Sequence, residues 1–263
     1  MSLDHCRVVL VRTHYPGNLG ATARIMRNFG LRDLVLVAPQ ADIHDRNARQ
    51  MSTHGEDILD TARIVSTLDE AIADCVLVIG TSGPEGGLYR RQSVGPPDEI
   101  LTHALEPLRG DHPVALVFGP EPTGLSNDDV TLCHYLIHIP ADEAYDSLNL
   151  AQAVAICLYE LHKQWRIEGE PTSVSSRVPV TFAEQELLFE QLRLALEEIH
   201  FLYGDKADAL MHAVRHLLGK ARLTEMEVKV LLGLARQIRW YVAHHPRTMG
   251  GDASQSHDSG GTP

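Results

Sequence analysis

The sequence predicts an α/β fold in which a mostly parallel sheet carries helices on both faces, followed by a small all-α unit. Short apolar runs rich in β-branched residues alternate with helical stretches over the first two-thirds of the chain, and only helical patterns follow. Short runs of this kind, bounded by Gly or Pro, are typical of parallel strands that are buried on both faces. With 44% hydrophobic and 22% charged residues, the 263-residue chain can bury a core.

Five apolar runs predict the strands of the sheet. They are Cys6–Val11, Leu34–Ala38, Cys75–Ile79, Val114–Phe118 and Tyr135–Ile139. Helical stretches are predicted at Ala21–Phe29, Ile58–Ala62, Leu68–Ala73 and Leu148–Trp165. Because strands that alternate with helices are joined by crossovers, this order favours a parallel sheet.

The last third of the chain predicts a helical unit. Capping boxes of the form Thr-x-x-Glu begin two helices at Thr181 and Thr224, and residues 209–218 supply a helix between them. Residues 169–180 are rich in Glu, Gly, Pro and Ser, which indicates a linker. We therefore expect an α/β domain at 1–168, a linker at 169–180, a helical domain at 181–245 and a disordered tail at 246–263.

Charge and cysteine usage narrow the function classes. The net charge of −12 argues against a general nucleic-acid binder. Residues 1–50 nevertheless hold seven arginines against four aspartates, which leaves a locally basic face open. The four cysteines lie far apart without a C-x-x-C pair, so neither a disulfide scaffold nor a zinc site is expected. No apolar run is long enough to span a bilayer and no signal peptide is recognisable, so we expect a soluble cytosolic protein.

A first polar segment follows the first strand. Asn18 lies where the strand gives way to a helix, and Gly20, Arg24 and Arg27 are spaced to share one helix face. One interpretation is a helix start that binds phosphate or ribose. The other is an ordinary N-cap by Asn18 with exposed arginines, and the spacing alone favours that second interpretation.

Two more polar segments follow later strands. In residues 118–126 a Gly/Pro-rich loop carries Glu121, and Ser126 can cap a new helix. Ser147 and Asn149 open the long helix after the last strand, where backbone N–H groups are free. A solvated glutamate and simple capping are the alternatives. All three segments nonetheless end strands, which is where ligand sites form in α/β sheets.

Absent motifs exclude several familiar enzyme classes. The sequence holds no G-x-x-x-x-G-K-[ST], no G-x-G-x-x-G after the first strand and no G-x-S-x-G. ATPases, Rossmann dehydrogenases and standard α/β-hydrolases are therefore disfavoured. The pair Cys133-His134 is interpreted as structural.

Taken in order over residues 5–165, the three segments resemble the SPOUT superfamily in its SpoU/TrmH branch of RNA ribose methyltransferases. The matching motifs are Asn18-x-Gly20-x-x-Ala23-Arg24, Phe118-Gly119-x-Glu121-x-x-Gly124-Leu125, and Ile139-Pro140 with Ser147-Leu148-Asn149-Leu150-Ala151. The resemblance implies a deep trefoil knot at the carboxyl end of the α/β domain, S-adenosylmethionine bound in the knot, and a homodimer. The segment from Tyr145 onward and the helical tail are most similar to branch members that methylate tRNA, which implies the 2′-oxygen of nucleotide 32.

The resemblance also implies roles for individual residues. Catalytic roles fall on Asn18, Arg24, Glu121, Ser147 and Asn149. Arg24 would hold a phosphate or stabilise charge on the ribose oxygen, and Glu121 would hold its loop or an arginine of the partner subunit. The cofactor would be lined by Thr81, Ser82, Gly83, Gly119, Ile139, Asp146, Ser147 and Leu148. RNA contacts are expected from Arg27, Arg90 and Arg91, and no metal is expected.

Two departures from the family pattern leave alternatives open. Pro120 and Pro122 flank Glu121 where relatives often carry an arginine, and Arg90 and Arg91 lie further along their loop than the arginine of relatives. The alternatives are a ribose methyltransferase for rRNA or another tRNA position, an RNA-binding module without catalysis, and a structural α/β protein without affinity for the cofactor.

Overall fold

The computed structural model describes residues 3–81, 94–142, 144–167, 179–219 and 221–245. Most of the predicted linker and the whole predicted tail lie outside the described residues, as do Ser82, Gly83, Arg90 and Arg91.

Within the described residues, seven strands form a central sheet in the order β3-β2-β1-β6-β4-β7-β5, and every pairing between them is parallel. The strands are β1 (Cys6–Val11), β2 (Asp33–Val37), β3 (Arg63–Val65), β4 (Leu77–Thr81), β5 (Val94–Gly95), β6 (Val114–Phe118) and β7 (Tyr135–Ile137). The parallel α/β sheet is thus confirmed, with β1 and β6 at their predicted bounds. The sequence interpretation missed β3 and β5 because they are very short edge strands, and Ile64 in β3 is mostly exposed.

The helices include all four predicted in the first two-thirds and the helix expected after Ser126. They are α1 (Pro16–Phe29), α2 (Arg46–Ser52), α3 (Glu56–Asp60), α4 (Leu68–Ile72), α5 (Pro97–Ile100), α6 (Thr102–Arg109), α7 (Asn127–Thr131), α8 (Leu150–Ile167), α9 (Phe182–Glu198), α10 (Ala207–Gly219) and α11 (Glu225–His244), with 3-10 turns at Thr53–Gly55 and Gly204–Lys206. No described helix is long and apolar enough to cross a membrane.

The sheet is buried on both faces, which explains why its strands are continuous apolar runs in the sequence. Along β1, Val8 and Leu10 face one core with α1, α6 and α8. Val9 and Val11 face a second core with α4 and α7. Since successive side chains of a strand point to opposite faces, each strand supplies both cores and fixes the helices above and below it.

The helices of the last third build a core of their own and rest on the amino edge of the sheet. Both predicted capping boxes are present at Thr181 and Thr224. The Phe182 N–H donates to the carbonyl of Cys75, just before β4, and the Phe182 ring packs into the second core of the sheet. The division into separate domains stays a prediction.

Candidate active site at the carboxyl edge of the sheet

The three polar segments meet where the strands end. Because the strands are parallel, the loops after β1, β6 and β7 open at one edge of the sheet. Asn18 Nδ2 donates to Glu121 Oε1 at 2.7 Å, and Asn149 Nδ2 donates to Asn18 Oδ1 at 3.1 Å. A continuous chain of hydrogen bonds, Glu121–Asn18–Asn149, therefore joins the three motifs.

Glu121 is an ionised anchor for the loop after β1. Its carboxylate also accepts the backbone N–H groups of His14 at 3.0 Å and Tyr15 at 3.4 Å, and its side chain is only 9% exposed. Burial alone would raise the pKa of Glu121. The hydrogen bonds from Asn18, His14 and Tyr15 outweigh that effect and hold the pKa below its usual range. The solvated-glutamate interpretation is therefore wrong, and the contacts suit Glu121 for positioning rather than for proton transfer.

The loop that carries Glu121 folds back tightly on itself. A Cβ at position 119 would lie 2.3 Å from the carbonyl carbon of Gly124 and 2.2 Å from the Leu125 nitrogen, so Gly119 allows a close backbone approach. Gly124 has φ +65°, a left-handed conformation that favours glycine. Beyond the loop, Ser126 caps α7 in a capping box with Asp129, as the sequence predicts.

Asn18 does not cap α1. The helix begins at Pro16, and its N-cap residue, Tyr15, makes no side-chain capping hydrogen bond. The Asn18 side chain instead reaches Glu121 and Asn149, so the capping interpretation is wrong. The small residues of α1 admit a neighbouring helix, because a Cβ on Gly20 would lie 2.1 Å from the carbonyl oxygen of Ala48 in α2.

The two arginines predicted to share a face of α1 differ in what they contact. Arg27 is paired with Asp57 of α3 at 2.9 Å. Arg24 is exposed, and its guanidinium has no hydrogen-bond or ion-pair partner among the described residues. Arg24 is therefore available to an anionic ligand, whereas an RNA phosphate would have to displace Asp57 from Arg27.

A cavity of about 420 Å³ opens beside the hydrogen-bonded chain. It lies between the Glu121 loop and the segment before α8, with the ends of β4 and β7 as its floor. Its lining includes the predicted cofactor residues Thr81, Gly119, Ile139, Asp146, Ser147 and Leu148. The structure therefore brings together the described members of that set.

Some residues of the cavity wall were not predicted. His138 lines it between Ile137 and Ile139, and Thr123 lines it from the Glu121 loop. The position of His138 at the carboxyl end of a predicted strand was the available signal. No sequence signal indicated that Phe118 and Leu150 form apolar walls of the cavity, because both residues have the pattern of ordinary core positions.

Asn149 both caps a helix and belongs to the candidate site, so the two interpretations given to its segment apply together. Its Oδ1 accepts the Ala151 N–H at 2.9 Å and so caps α8, which begins two residues later than predicted. Its Nδ2 donates to Asn18. Ser147 is exposed on the cavity wall and makes no side-chain hydrogen bond within the described part of the chain.

The Cys133-His134 pair lies at the opposite edge and is structural in its contacts. The Val78 N–H donates to His134 Nδ1 at 3.0 Å, and His134 Nε2 lies 3.0 Å from Gln185 Oε1 of α9. Burial raises the pKa of the Cys133 thiol to about 12, which suppresses the thiolate. Across the described ranges, no group of three or more His, Cys, Asp or Glu residues is placed to hold a metal ion.

Comparison with known proteins gives matches to both parts of the chain. Residues 5–159 match the SpoU rRNA methylase family, and residues 183–250 match the C-terminal domain of the tRNA methyltransferase TrmJ. A tRNA (cytidine/uridine/adenosine-2′-O-)-methyltransferase TrmJ from Pseudomonas aeruginosa is 40% identical over 88% of this chain and 93% of its own length. A tRNA (cytidine/uridine-2′-O-)-methyltransferase TrmJ from Yersinia pestis is 35% identical over 97% of this chain and all of its own length.

Solved structures show the same relationship. The crystal structure of TrmJ from Z. mobilis ZM4 has a TM-score of 0.73 at 30% identity and covers 89% of this chain and 98% of its own. A probable methylase family protein from Haemophilus influenzae Rd KW20 has a TM-score of 0.58 at 30% identity and covers 92% of this chain.

Proposed function

The chain belongs to the SpoU rRNA methylase family and, within it, to the TrmJ methyltransferases, and on that premise we propose that it transfers a methyl group from S-adenosylmethionine to the ribose 2′-oxygen of nucleotide 32 in the tRNA anticodon loop. The observation that carries this proposal is the chain Glu121–Asn18–Asn149 beside the cavity, because it assembles three distant motifs into one site. The proposal includes a homodimer, a trefoil knot around the cofactor site, and a cytosolic location.

The cavity suits S-adenosylmethionine in size and in the chemistry of its walls. Ligand pockets commonly enclose about 300–1,000 Å³ and combine apolar walls with a few polar groups. Here Phe118, Ile137 and Leu150 supply apolar surface, while Asp146 and Ser147 supply polar groups. The described residues that would hold the cofactor are Thr81, Gly119, Ile139, Asp146, Ser147 and Leu148. When bound, the cofactor supplies a methyl group activated by its sulfonium charge.

The residues of this chain act on the ribose mainly by positioning. A ribose 2′-hydroxyl is a weak nucleophile, so holding it in line with the methyl group supplies much of the rate. Asn18 and Asn149 fix the two segments that flank the cavity mouth, and Glu121 fixes the loop that precedes Asn18. The Arg24 guanidinium, which has no partner among the described residues, holds the phosphate next to the reacting ribose or stabilises negative charge on its oxygen.

Mass spectrometry of methylated tRNA tests the proposal. The protein is incubated with labelled S-adenosylmethionine and an unmodified tRNA transcript, and the product is digested with nuclease and mapped. We expect a 2′-O-methyl group at nucleotide 32. A matched transcript with a 2′-deoxynucleotide at position 32 lacks only the acceptor oxygen and should take up no label.

The remaining outcomes separate the alternatives. Label at another tRNA nucleotide, or on ribosomal RNA alone, would replace the proposed substrate within the same chemistry. Binding of tRNA without any transfer would identify a non-catalytic RNA-binding module. Calorimetry that detects no S-adenosylmethionine binding would overturn the assignment of the cavity itself.

A further inference from the structure

Two exposed tyrosines lie next to residues that line the candidate site. The Tyr15 residue is 60% exposed and directly precedes α1, while Tyr145 is 79% exposed and precedes Asp146 of the cavity wall. The Tyr15 N–H donates to Glu121, so this residue belongs to the loop that Glu121 anchors. The hydrogen bond from Asn149 to Asn18 ties the Tyr145 segment to the Tyr15 segment.

Both tyrosines are held by their backbones and present free rings. Tyr145 closes a tight turn, in which its N–H donates to the Asp142 carbonyl at 2.9 Å. Among the described residues, neither ring has a hydrogen-bonded, charged or aromatic partner. Tyr135 differs, because its ring is buried and stacks on His103 with the centroids 4.2 Å apart.

The chemistry of the substrate places a nucleobase at this rim. In a ribonucleotide the base is attached to C1′, the carbon next to the C2′ that carries the reacting oxygen. When that oxygen enters the cavity, the base is left at its mouth. Proteins that recognise single-stranded RNA commonly stack unpaired bases on aromatic side chains.

We propose that the rings of Tyr15 and Tyr145 form a stacking surface for the base of the nucleotide whose ribose is methylated. The inference rests on the proposed function for the identity of the substrate. Stacking uses the π-face that every base has, so this surface recognises an unpaired base rather than one base sequence. The ring is the required part of each side chain, and the phenolic hydroxyl is not.

Kinetics of paired substitutions test the ring against the hydroxyl. We expect Tyr15→Leu and Tyr145→Leu each to lower kcat/KM for tRNA about tenfold, a typical loss for one stacked base. Tyr15→Phe and Tyr145→Phe keep the ring and should each lose less than about threefold on the same scale. Because both rings are exposed, the unfolding temperature and the affinity for S-adenosylmethionine should stay unchanged in all four variants.

Fluorescence of a modified RNA tests stacking without requiring catalysis. An anticodon stem-loop carrying 2-aminopurine at nucleotide 32 should lose fluorescence on binding to the wild type and to Tyr15→Phe, since stacking quenches this base. Saturating Tyr15→Leu should quench it much less. Tyr203→Leu removes a 69% exposed tyrosine from the helical last third and should leave quenching at saturation unchanged.

The outcomes of the two assays are separable. The stacking surface would be overturned if the Leu variants kept kcat/KM within twofold of the wild type, or if the Phe variants lost as much kcat/KM as the Leu variants. It would also be overturned if the wild type did not quench the 2-aminopurine stem-loop, whether or not the stem-loop bound. Quenching that depends on Tyr15, together with no methyl transfer by the wild type, would support the stacking surface and overturn the proposed function alone.

Discussion

The two edges of the sheet both bury a charged side chain, but they differ in what surrounds it. At the amino edge, Arg7 is 6% exposed and donates to Asp33 at 2.7 Å, to the Ala71 carbonyl at 2.8 Å and to both carboxylate oxygens of Asp74. At the carboxyl edge, the Glu121 carboxylate accepts hydrogen bonds from Asn18, His14 and Tyr15, and it borders an open cavity. A buried charged side chain that is fully hydrogen-bonded and borders no ligand cavity stabilises the fold. A buried charged side chain that is fully hydrogen-bonded and lies beside a cavity can also position groups for a ligand.

The helical last third reinforces this division. Its first helix docks on the amino edge through Phe182, and Arg222 reaches the carbonyl of His103 at 2.8 Å. The carboxyl edge instead presents Ser147, Tyr15 and Tyr145, and Arg24 lies on α1, the helix that begins at this edge. None of these four side chains has a hydrogen-bond or ion-pair partner among the described residues. We therefore expect substitutions at the carboxyl edge to change activity and those at the amino edge to change stability.

The largest effect on activity is expected from Arg24→Ala. Loss of the positive charge of Arg24 should lower kcat/KM for tRNA by roughly 10²–10³-fold, as the loss of transition-state charge stabilisation does elsewhere. Because Arg24 is exposed and unpaired within the described ranges, its removal should leave the unfolding temperature unchanged. Methyl-transfer kinetics and thermal unfolding of one preparation measure both quantities.

Arg32→Ala is the matched control for that variant. Arg32 is also exposed and lies just before β2, at the amino edge. It should keep kcat/KM within about twofold, since only long-range charge is lost. Near-normal methylation by Arg24→Ala, or equal losses in the two variants, would contradict a specific role for Arg24.

The amino edge should respond in the opposite way to Arg7→Met. Removing the guanidinium leaves Asp33 and Asp74 without their shared partner, and we expect the free energy of unfolding to fall by about 3 kcal/mol. The value lies at the low end for a broken buried pair because the Asp74 side chain is 58% exposed. Urea unfolding measures the loss, and kcat/KM of the folded protein should be unchanged.

A surface ion pair supplies the comparison for Arg7. Arg49→Met breaks the contact with Asp60, whose side chain is 57% exposed, and should cost less than about 1 kcal/mol. If Arg7→Met cost no more than Arg49→Met, or if it lowered kcat/KM tenfold, the division between the two edges would fail.

Glu121→Gln tests whether a positioning group affects both the stability of the protein and its activity. The amide keeps one acceptor oxygen but turns an NH₂ group toward donors, so we expect losses of about 1–2 kcal/mol in stability and about tenfold in kcat/KM. Glu56→Gln, at an exposed site in α3, should change neither. An unchanged KM for tRNA with a lowered kcat would separate positioning from binding, whereas wild-type kinetics would show that the anchored loop is dispensable.

The local sequence pattern was sufficient to predict the long strands and helices of the fold, but it was insufficient to predict the side-chain contacts of the candidate site. The strands β1 and β6 are predictable because each is a continuous run that both cores bury. The edge strands β3 and β5 carry no such run. Spacing alone favours the wrong interpretation of Asn18, as a cap, because its partners, Glu121 and Asn149, lie 103 and 131 residues away. No short stretch of sequence around Asn18 contains either partner, so the ordered family motifs predict the candidate site, while only the fold could assign its hydrogen bonds.

The smallest effect is expected at the amino edge, where His134 should make the free energy of unfolding depend on pH. Burial, opposed in part by the hydrogen bond with the Gln185 oxygen, lowers the pKa of this ring, and nearby Arg215 lowers it further. In the unfolded chain the ring takes up a proton below about pH 6.5, whereas the folded protein resists that proton. The free energy of unfolding should therefore fall as the pH drops below 6.5, by at most about 1.4 kcal/mol per pH unit from this ring.

His134→Asn isolates this contribution from the other fourteen histidines. The asparagine Oδ1 can still accept the Val78 N–H, so the variant should fold, with lower stability at pH 7.5 because the contact with Gln185 is lost. Its stability should fall less steeply than that of the wild type between pH 6.5 and 5, as measured by urea unfolding at each pH. Parallel slopes would show that His134 does not set the acid sensitivity of the amino edge, and a variant with altered tRNA kinetics at pH 7.5 would show that the two edges are coupled.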